Sequence, residues 1–434
     1  MITMTTTAEL LARLDRAQPV VRQRDMYLRG AQPLRFTTDK LSPVIGFRSN
    51  LAEVAVTAVA ERINLESVTA SINFPTGPVD VSDRARALVQ DSDFPMLLQS
   101  LISDMLAVGS AYIIVWVDGM GRPVVTGESA EQVAVSRDPI TGGVTGAVKR
   151  WQVVDSAGVL KAEHVIKYGP NRIVHLKRND TRGKLTFVSA VDNPLGVVPV
   201  VPLVNITRLN DEMGSSVIDS LAPLLDALNK IIVDMLITSE SVARPKRYAT
   251  GVVLEDDEDG FIADEGFTAD SELPAGDDSP GVESPFKDSD DLWISEQAEA
   301  KFGQLAGADL GGYKTAVDLI IQQIMAVTSL PGHMVGVTTS NPSTAEALRA
   351  SEVALSSNAD SRVRVINRPV EWAVRLLVAL DYGVSPAVVE VNNEWGSTAT
   401  RSVAQEADAA VKLVSQEVIT ADEARSNVGI KETL

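Results

Sequence analysis

The chain has 434 residues, 45% of them hydrophobic, and a mean hydropathy of +0.07. These values exclude a wholly disordered protein and predict two or three structural units. The absence of cysteine excludes disulfides, thiolate chemistry and cysteine-based zinc sites. No run of about 20 apolar residues exists, so we expect no membrane contact. The N-terminus lacks the apolar centre of a secretory signal, so we expect a protein that stays inside a cell or an assembly.

The net charge of −19 is concentrated in one segment of the chain. Between Glu255 and Asp291 there are fifteen acidic residues and one lysine, which gives −14 locally and leaves −5 for the rest. Tight non-specific DNA binding needs clustered lysine and arginine, so we do not expect it, whereas weak contact with DNA remains open. We interpret the acidic segment as a solvated surface; a divalent-cation site there is the alternative. We expect no metal and no cofactor.

The N-terminal half is predicted to begin with helices and to continue as strands. Helices are expected over residues 7–29, about 51–64 and about 95–108, from the three-and-four spacing of their apolar residues. The sequence "SAYIIVWVDGMGRPVVTG" then changes to a period of two around a glycine-containing turn, which predicts a hairpin. Short valine-rich strands are expected from there to about residue 204.

A strongly periodic helix is predicted over 216 to about 242, with Ser216 and Asp219 as an N-terminal cap pair. Pro223 is expected to bend this helix or to mark its beginning. The sequence "KRYATGVVL" then predicts a short strand, and the acidic segment follows it. Another helix is expected from about 296 to 327.

The stretch "SLPGHMVGVTTSNPSTAEALRASE" (329–352) separates that helix from a long helix that begins at Thr344. Ser343 and Glu346 form a capping box that marks where the long helix begins. Connections between helices are typically two to eight residues long, whereas this one is about fifteen. Long ordered loops of this kind are usually functional. A last helical region is expected from about 400 to 427.

Sequence motifs for catalysis are missing. His164, His175 and His333 are interpreted as structural residues far apart in different units, with no metal-ligand spacing. The sequence "GADLGGYKT" resembles a phosphate loop, but Tyr313 separates its glycines from Lys314 and no strand precedes it. We therefore predict that the protein is not an enzyme, and a nucleotide hydrolase is the least favoured reading.

The loop and its flanks resemble the phage portal protein family, in particular the SPP1-like portals of tailed siphoviruses. That family carries a segment of the form "LPPHxLG…NPxSAEAIRAAEA" after a buried helix. Further segments resemble the family in the same order along the chain. The matching segments are "DMYLRGAQPL" (25–34), "AVGSAYIIVWVDGMGRPVV" (107–125), "NPLGVVPVVPLVN" (193–205), the helix-containing stretch 214–251, "LPGHMVG" (330–336) and "NPSTAEALRASEVAL" (341–355). Together they cover most of residues 15–380.

The resemblance implies an α+β portal subunit, which forms a ring, usually of twelve copies, around a DNA channel. It implies the following division: wing, 1–210; first stem helix, 211–245; acidic clip, 246–295; second stem helix, 296–327; tunnel loop, 328–343; long wing helix region, 344–394; crown, 395–434. Pro369 departs from the family pattern, because it is expected to interrupt the long helix.

The resemblance also implies site residues. The residues expected to line the channel are Pro331, His333, Thr338, Thr339, Ser340 and Asn341. Candidate DNA-facing or intersubunit cations are Lys301, Lys314 and Arg349, with Arg362 and Arg364 as further candidates. The acidic clip residues are represented by Asp256, Asp257, Glu258 and Asp259.

The implied partners are further copies of the chain, the large terminase subunit, a head–tail connector or adaptor, the major capsid and scaffold proteins, and double-stranded DNA that passes without specific binding. The implied location is the portal vertex of the virion capsid, after assembly in the host cytoplasm. The alternative is another virion structural protein, such as a head–tail connector or a minor capsid protein.

Overall fold

The structure, a computed structural model, describes residues 6–35, 47–179, 183–209, 211, 213–243, 247–250, 301–304, 310–337, 345–399, 403–416 and 420. The fold mixes helices with antiparallel sheets, which confirms the predicted α+β class. The chain divides into two compact units. Unit 1 comprises Met1–Ile232 and Thr315–Leu434, and unit 2 comprises Val233–Lys314.

Eight α-helices lie in the described residues. They are α1 Thr7–Leu28, α2 Leu51–Ala60, α3 Ser82–Asp91, α4 Phe94–Val108, α5 Val217–Ala243, α6 Gly311–Thr328, α7 Ala345–Tyr382 and α8 Val403–Ser415. The first three predicted helices correspond to α1, α2 and α4. Helix α1 begins at a complete capping box, in which the Thr6 hydroxyl accepts from the Glu9 amide and the Glu9 carboxylate accepts from the Thr6 amide.

The strands form four antiparallel sheets in the described residues. The strands are β1 Leu65–Phe74, β2 Gly77–Asp80, β3 Ser110–Val117, β4 Pro123–Ser129, β5 Val133–Arg137, β6 Val144–Val154, β7 Leu160–Tyr168, β8 Arg172–Arg178, β9 Thr186–Asp192, β10 Val200–Val204, β11 Arg247–Thr250, β12 Lys301–Gln304 and β13 Val389–Trp395. The sheet orders are β13-β1-β2, β10-β3-β4, β5-β6-β7-β8-β9 and β11-β12. The predicted hairpin is β3–β4, with Val117 opposite Pro123.

Helix α7 is the centre of the main core of unit 1. Its fully buried residues fall at three-and-four spacing, as in Leu355, Ala359, Ile366 and Val370. The helix packs against strands of two sheets, β13 and β10-β3-β4, and against α2 and α3. A second, smaller core forms where α1 packs on the five-stranded sheet, through Leu10, Leu11, Leu14, Ala134, Val148 and Val165.

The beginning of α5 is fixed by polar contacts with α1. The Ser216 hydroxyl accepts from the Ile218 amide (2.9 Å) and Asp219 accepts from the Ser216 amide (3.1 Å), which confirms the predicted cap pair. The Asp219 carboxylate also accepts from Nε (2.9 Å) and Nη2 (2.6 Å) of Arg24 on α1. A two-point arginine–carboxylate pair holds both groups in one orientation.

Two glycines let the loop before α5 cross the end of α4. Gly109 and Gly214 both take positive φ, and a Cβ on Gly214 would lie 1.9 Å from the Gly109 carbonyl oxygen. That oxygen accepts from the Asn205 amide (2.9 Å), and the Asn205 side-chain oxygen accepts from Arg362 of α7 (2.6 Å). The crossing therefore links α4, β10, α5 and α7.

Unit 2 consists, in the described residues, of the end of α5, the β11–β12 ladder and the first turn of α6. Tyr248 lies opposite Gly303 in the ladder, and the hydroxyls of Thr238 and Tyr313 are 2.9 Å apart. The ladder confirms the predicted strand at 247–250. It contradicts the helix expected from 296, because Lys301–Gln304 is a strand and α6 begins at Gly311. Gly303 and Gly307 lower the helix propensity of the stretch before Gly311.

Proline was overestimated as a helix breaker. Pro369 was expected to interrupt the long helix, yet α7 is continuous from Ala345 to Tyr382. An interior proline costs about 3 kcal/mol, but Ile366 and Val370 on either side are fully buried and hold the helix. Pro223 likewise lies inside α5, so it does not mark the beginning of that helix.

The C-terminal elements differ from the expected division. The predicted long-helix region to 394 contains strand β13, which pairs with β1. Within the expected crown the described residues contain α8, Val403–Ser415, whereas residues 400–402, 417–419 and 421–427 of the predicted helical region lie outside the described residues. Helix α3 and the β13-β1-β2 sheet were not predicted.

The prediction that the three histidines lie far apart is wrong for two of them. His164 on β7 and His175 on β8 are neighbours across the sheet, with Nδ1 and Nε2 2.9 Å apart. The ring of Trp151 on β6 is nearly parallel to both imidazoles, with centroids 5.0 and 5.9 Å away. A cross-strand pair of this kind depends on register, which the spacing of the residues in sequence does not reveal.

We predict that Gly214→Ala lowers the free energy of unfolding by at least about 2 kcal/mol, because the new Cβ meets the Gly109 oxygen at a positive φ. Gly196→Ala is the matched control, since Gly196 also has positive φ (67°) but an added Cβ meets nothing within 4 Å. Denaturant unfolding measures both. Equal losses in the two variants would contradict the account of the crossing.

We predict that the His164–His175 pair weakens in acid. Burial, then His175 and Lys177, lower the pKa of His164 from its ordinary 6.5. The unfolded chain therefore binds this proton more readily, so the stabilisation is present above the ordinary pKa and is lost as pH falls below it. Between about pH 7.5 and about pH 5.5 the thermal midpoint should fall further in the natural protein than in His164→Gln. An equal fall of the thermal midpoint in the natural protein and in His164→Gln would contradict this prediction.

Candidate functional site

The first half of the long loop after α6 is packed rather than extended. Thr328 ends the helix with its hydroxyl donating to the Ile324 carbonyl (2.7 Å), and Ser329 takes the left-handed φ of 61°. Leu330 is buried, and Gly332–Val335 forms a 3-10 turn. The Val337 amide then donates to the Gly332 carbonyl (2.9 Å). These residues form a compact turn at the end of α6.

The expected channel residues fall partly within the described loop. Pro331 is buried within the single subunit. His333 is 38% exposed on its side chain, which is compatible with the expectation. Thr338, Thr339, Ser340 and Asn341 lie outside the described residues, as does the cap residue Ser343. Helix α7 begins at Ala345, two residues after that cap.

An ion pair anchors the turn from the side. Nε2 of His333 lies 3.4 Å from Glu352 Oε1 on α7, and Glu352 Oε2 accepts from Arg62 at the end of α2 (2.9 Å). Arg62 also donates to the Thr398 carbonyl (3.1 Å), while the Thr398 hydroxyl donates to Asp360 of α7 (2.6 Å). The side chains of Arg62 and Glu352 are each 14% exposed. A charge-assisted hydrogen bond with so little exposure is stronger than a surface ion pair.

The loop and the last part of α6 before it lack acidic and basic side chains. Residues 319–345 contain no Asp, Glu, Lys or Arg, and His333 is the one titratable side chain in those 27 residues. Leu319, Gln322, Gln323, Ala326 and Val327 of α6 are nevertheless exposed. An uncharged, solvent-facing helix surface that leads into an uncharged loop is unusual for a chain with 22% charged residues.

The candidate cations fall on different elements. Lys301 on β12 and Lys314 on α6 are exposed. Arg349 is half-buried on α7, on the same helix face as Glu352, and is engaged in a polar contact. Arg364 is exposed, whereas Arg362 donates to Asn205 and burial lowers its pKa. Arg362 is therefore a structural residue of the α5 crossing.

The predicted acidic clip residues and one predicted cap residue have no described side chains. The acidic residues Asp256, Asp257, Glu258 and Asp259 lie outside the described residues, and the side chain of Glu346 is likewise not described. In the described residues no group of three or more His, Asp or Glu side chains is arranged to hold a metal ion. None of the described helices is long and apolar enough to span a bilayer.

Arg62 and Glu352 were not identified from the sequence. They lie 290 positions apart and neither belongs to a motif. One local signal exists: Glu352 is the first acidic residue after Glu346 on α7, on the helix face that returns toward the loop.

Comparisons with known proteins agree on one family. The family model described as "Phage portal protein, SPP1 Gp6-like" matches residues 50–431. The portal protein of Mycobacterium phage D29 is 33% identical over 240 residues, which is 54% of this chain and 46% of the relative. The portal protein of Mycobacterium phage L5 is 32% identical over 249 residues, 55% of this chain and 47% of the relative. The chain thus spans about half the length of these relatives.

Two solved structures resemble the chain weakly. One is the neck of an empty gene transfer agent (GTA) particle, with a TM-score of 0.45, 13% identity and coverage of 95% of this chain and 94% of the other. The second is the virion of a native GTA particle, with a TM-score of 0.43, 15% identity and coverage of 95% and 100%.

We predict that Glu352→Gln loosens the loop. The substitution removes a charge-assisted hydrogen bond worth about 1.5–3 kcal/mol, so hydrogen exchange of the Met334 and Val335 amides should accelerate by roughly ten- to a hundredfold. Asp408→Asn, which breaks the exposed pair with Lys412 on α8, is the control and should leave those amides unchanged. Equal exchange in both variants would show that Glu352 does not hold the turn.

Proposed function

The chain belongs to the SPP1 Gp6-like family of phage portal proteins, and from that premise we propose that it forms the ring at the unique capsid vertex through which double-stranded DNA enters and leaves. The family match over residues 50–431 carries this proposal. The copies, usually twelve, would surround a central channel. The loop after α6 would lie at the narrowest part of that channel.

The absence of charge in residues 319–345 supports this role for the loop. Each phosphate that a lysine or arginine neutralises adds favourable, salt-dependent binding energy. A channel that moves a whole duplex has to avoid holding it, so its narrowest surface should carry few cations. A loop of Thr, Ser, Asn, Gly and Val contacts the DNA backbone without gripping it.

The Arg62–Glu352 ion pair, which lies beside the turn after α6, supports the same role. A loop without acidic or basic residues cannot form ion pairs between its own side chains, so any charged contact that holds it has to come from the residues beside it. Glu352 and Arg62 supply those contacts from α7 and α2, at a point where their charge is shielded from solvent. The cationic Arg62 is thereby neutralised.

The remaining regions take the roles that the family implies. Residues 1–210 together with α7 would form the wing, and α5 and α6 the stem. The acidic stretch 246–295 would form the clip that meets the terminase during packaging and the head–tail connector afterwards. Residues 395–434 would form the crown inside the capsid. The −14 charge of 255–291, repeated around the ring, would repel phosphates and keep the DNA centred.

The family match disfavours a head–tail connector or a minor capsid protein. The other implied partners, the major capsid and scaffold proteins, follow from assembly at a capsid vertex. We propose that the assembled protein is located in the virion, after assembly in the host cytoplasm.

We predict that Thr339→Lys impairs DNA packaging. One added cation in each copy puts a ring of positive charge at the narrowest point, so the duplex is held and less DNA is packaged per head, by at least about twofold at low salt, with recovery as salt rises. Quantitative PCR of nuclease-protected DNA, after packaging in vitro at low and at high salt into heads that carry the variant, measures this.

Ile140→Lys, on the exposed turn between β5 and β6, is the matched control and should package normally. Deletion of residues 337–341 gives the second arm and should also reduce packaging. Full packaging by both loop variants would refute the role assigned to the loop.

A further inference from the structure

Strand β9 is the free edge of the largest sheet. Within the described residues it pairs with β8 alone, in the register that places Ser189 opposite His175. Six of its seven residues are exposed. A free edge of this length offers unpaired backbone groups to any neighbouring chain, and proteins normally cover or blunt it.

The exposed side chains of β9 are mainly apolar. Phe187 is 65% exposed, Val188 47% and Val191 56%. Phe187 lies opposite Leu176, and Val191 lies opposite Ile173, so the apolar residues occur on both faces of the strand. Apolar residues on an unpaired edge favour a protein partner over solvent.

The sheet that ends in β9 is basic although the whole chain is acidic. Strands β5–β9 contain eight lysine or arginine residues and two acidic residues. Lys149, Arg150 and Arg178 are paired with Glu128, Asp15 and Glu163. Lys161, Lys167 and Lys177, on β7 and β8, form no ion pair with any described residue, so their charge is available to a partner.

The β13-β1-β2 sheet has the opposite charge. Its strands carry Glu66, Asp80, Glu390 and Glu394 and no lysine or arginine. Among the described residues none of the four carboxylates forms an ion pair, although Asp80 accepts from Ser82 and Glu390 accepts from Asn73. Its edge strand β2 pairs with β1 alone in the described residues, and it exposes Val79 (45%), beside Phe74 (38%).

We infer that these two surfaces bind each other between copies of the chain: the β9 edge of one subunit docks on the β2 edge of the next. The inference rests on the proposed ring and names the contact between neighbouring subunits that would close that ring. Two different, complementary surfaces on one chain are what a head-to-tail interface requires, and head-to-tail interfaces generate rings. Opposite charge would set the direction, and the apolar side chains would supply the buried area.

The contact would be made by side chains rather than by a continuous strand ladder. Pro78 lies in β2 opposite Asn73 and lacks an amide hydrogen, so β2 cannot offer a full row of donors. Val79 and Phe74 would pack against Val188 and Phe187. The lysines of β7 and β8 would face the carboxylates of the neighbouring copy.

The cysteine-free chain permits a direct cross-linking test. Val188→Cys and Val79→Cys are placed together in the full-length protein, which is treated with a short bismaleimide and run on a denaturing gel. A head-to-tail contact predicts a ladder of covalent oligomers. An equimolar mixture of the two single variants should give dimers, and each single variant alone should give monomer.

A matched control replaces Val188→Cys with Ile140→Cys, at a more exposed apolar position in the turn between β5 and β6, and should give no ladder. Raising the salt from about 0.05 M to about 0.5 M before cross-linking should lower the ladder yield at least about twofold, because the attraction between charges is screened. An unchanged ladder yield would show that opposite charge does not set the head-to-tail direction of the contact.

Electron microscopy of the same preparations separates this inference from the proposed function. Annular particles without a ladder would overturn the β9–β2 contact and leave the portal ring standing. Dimers from Val188→Cys alone would show a symmetric β9–β9 contact and would also overturn it. A ladder without annular particles would support the contact and contradict the ring.

Discussion

Glu352 joins parts of the chain that are far apart in sequence. Its carboxylate contacts Arg62 at the end of α2 and His333 in the turn after α6, while α7 itself forms the centre of the core. Arg62 extends the network to the Thr398 carbonyl. The turn after α6 is held by the burial of Leu330, by the packing of Met334 and Val335 on the core and by the Val337–Gly332 hydrogen bond. Glu352 adds a charged contact to this turn from α7.

Charged and uncharged segments are also separated from each other along the whole chain. The acidic segment 255–291 carries −14, residues 319–345 carry no acidic or basic side chain, and the two sheets of unit 1 discussed above have opposite signs. Cations near the core are held by carboxylates or amides: Arg24 pairs with Asp219, and Arg362 donates to the side-chain oxygen of Asn205. In the proposed ring, this separation would let one chain repel DNA at the acidic segment, let DNA pass along the uncharged loop, and bind neighbouring subunits through the two sheets.

Local patterns in the sequence predicted the elements that depend on local physics. The helices α1, α2, α4 and α5, the β3–β4 hairpin and the Ser216–Asp219 cap follow from spacing and capping within a few residues. The failures arose where distant contacts decide. Pro369 remains helical because Ile366 and Val370 are buried, and Lys301–Gln304 is a strand because β11 pairs with it. The Arg62–Glu352 pair and the His164–His175 pair depend on tertiary register, which one sequence does not display.

The central claim is that the loop after α6, which lies within the uncharged tract 319–345, forms the narrowest wall of a DNA channel. An electron cryomicroscopy reconstruction of the assembled particle with duplex in its channel tests this most directly. The account predicts that residues 333–345 lie closest to the symmetry axis, with no lysine or arginine of unit 1 within hydrogen-bonding distance of a phosphate at that level. A narrowest point lined by lysine or arginine, or a tract located on the outer surface of the particle, would contradict it.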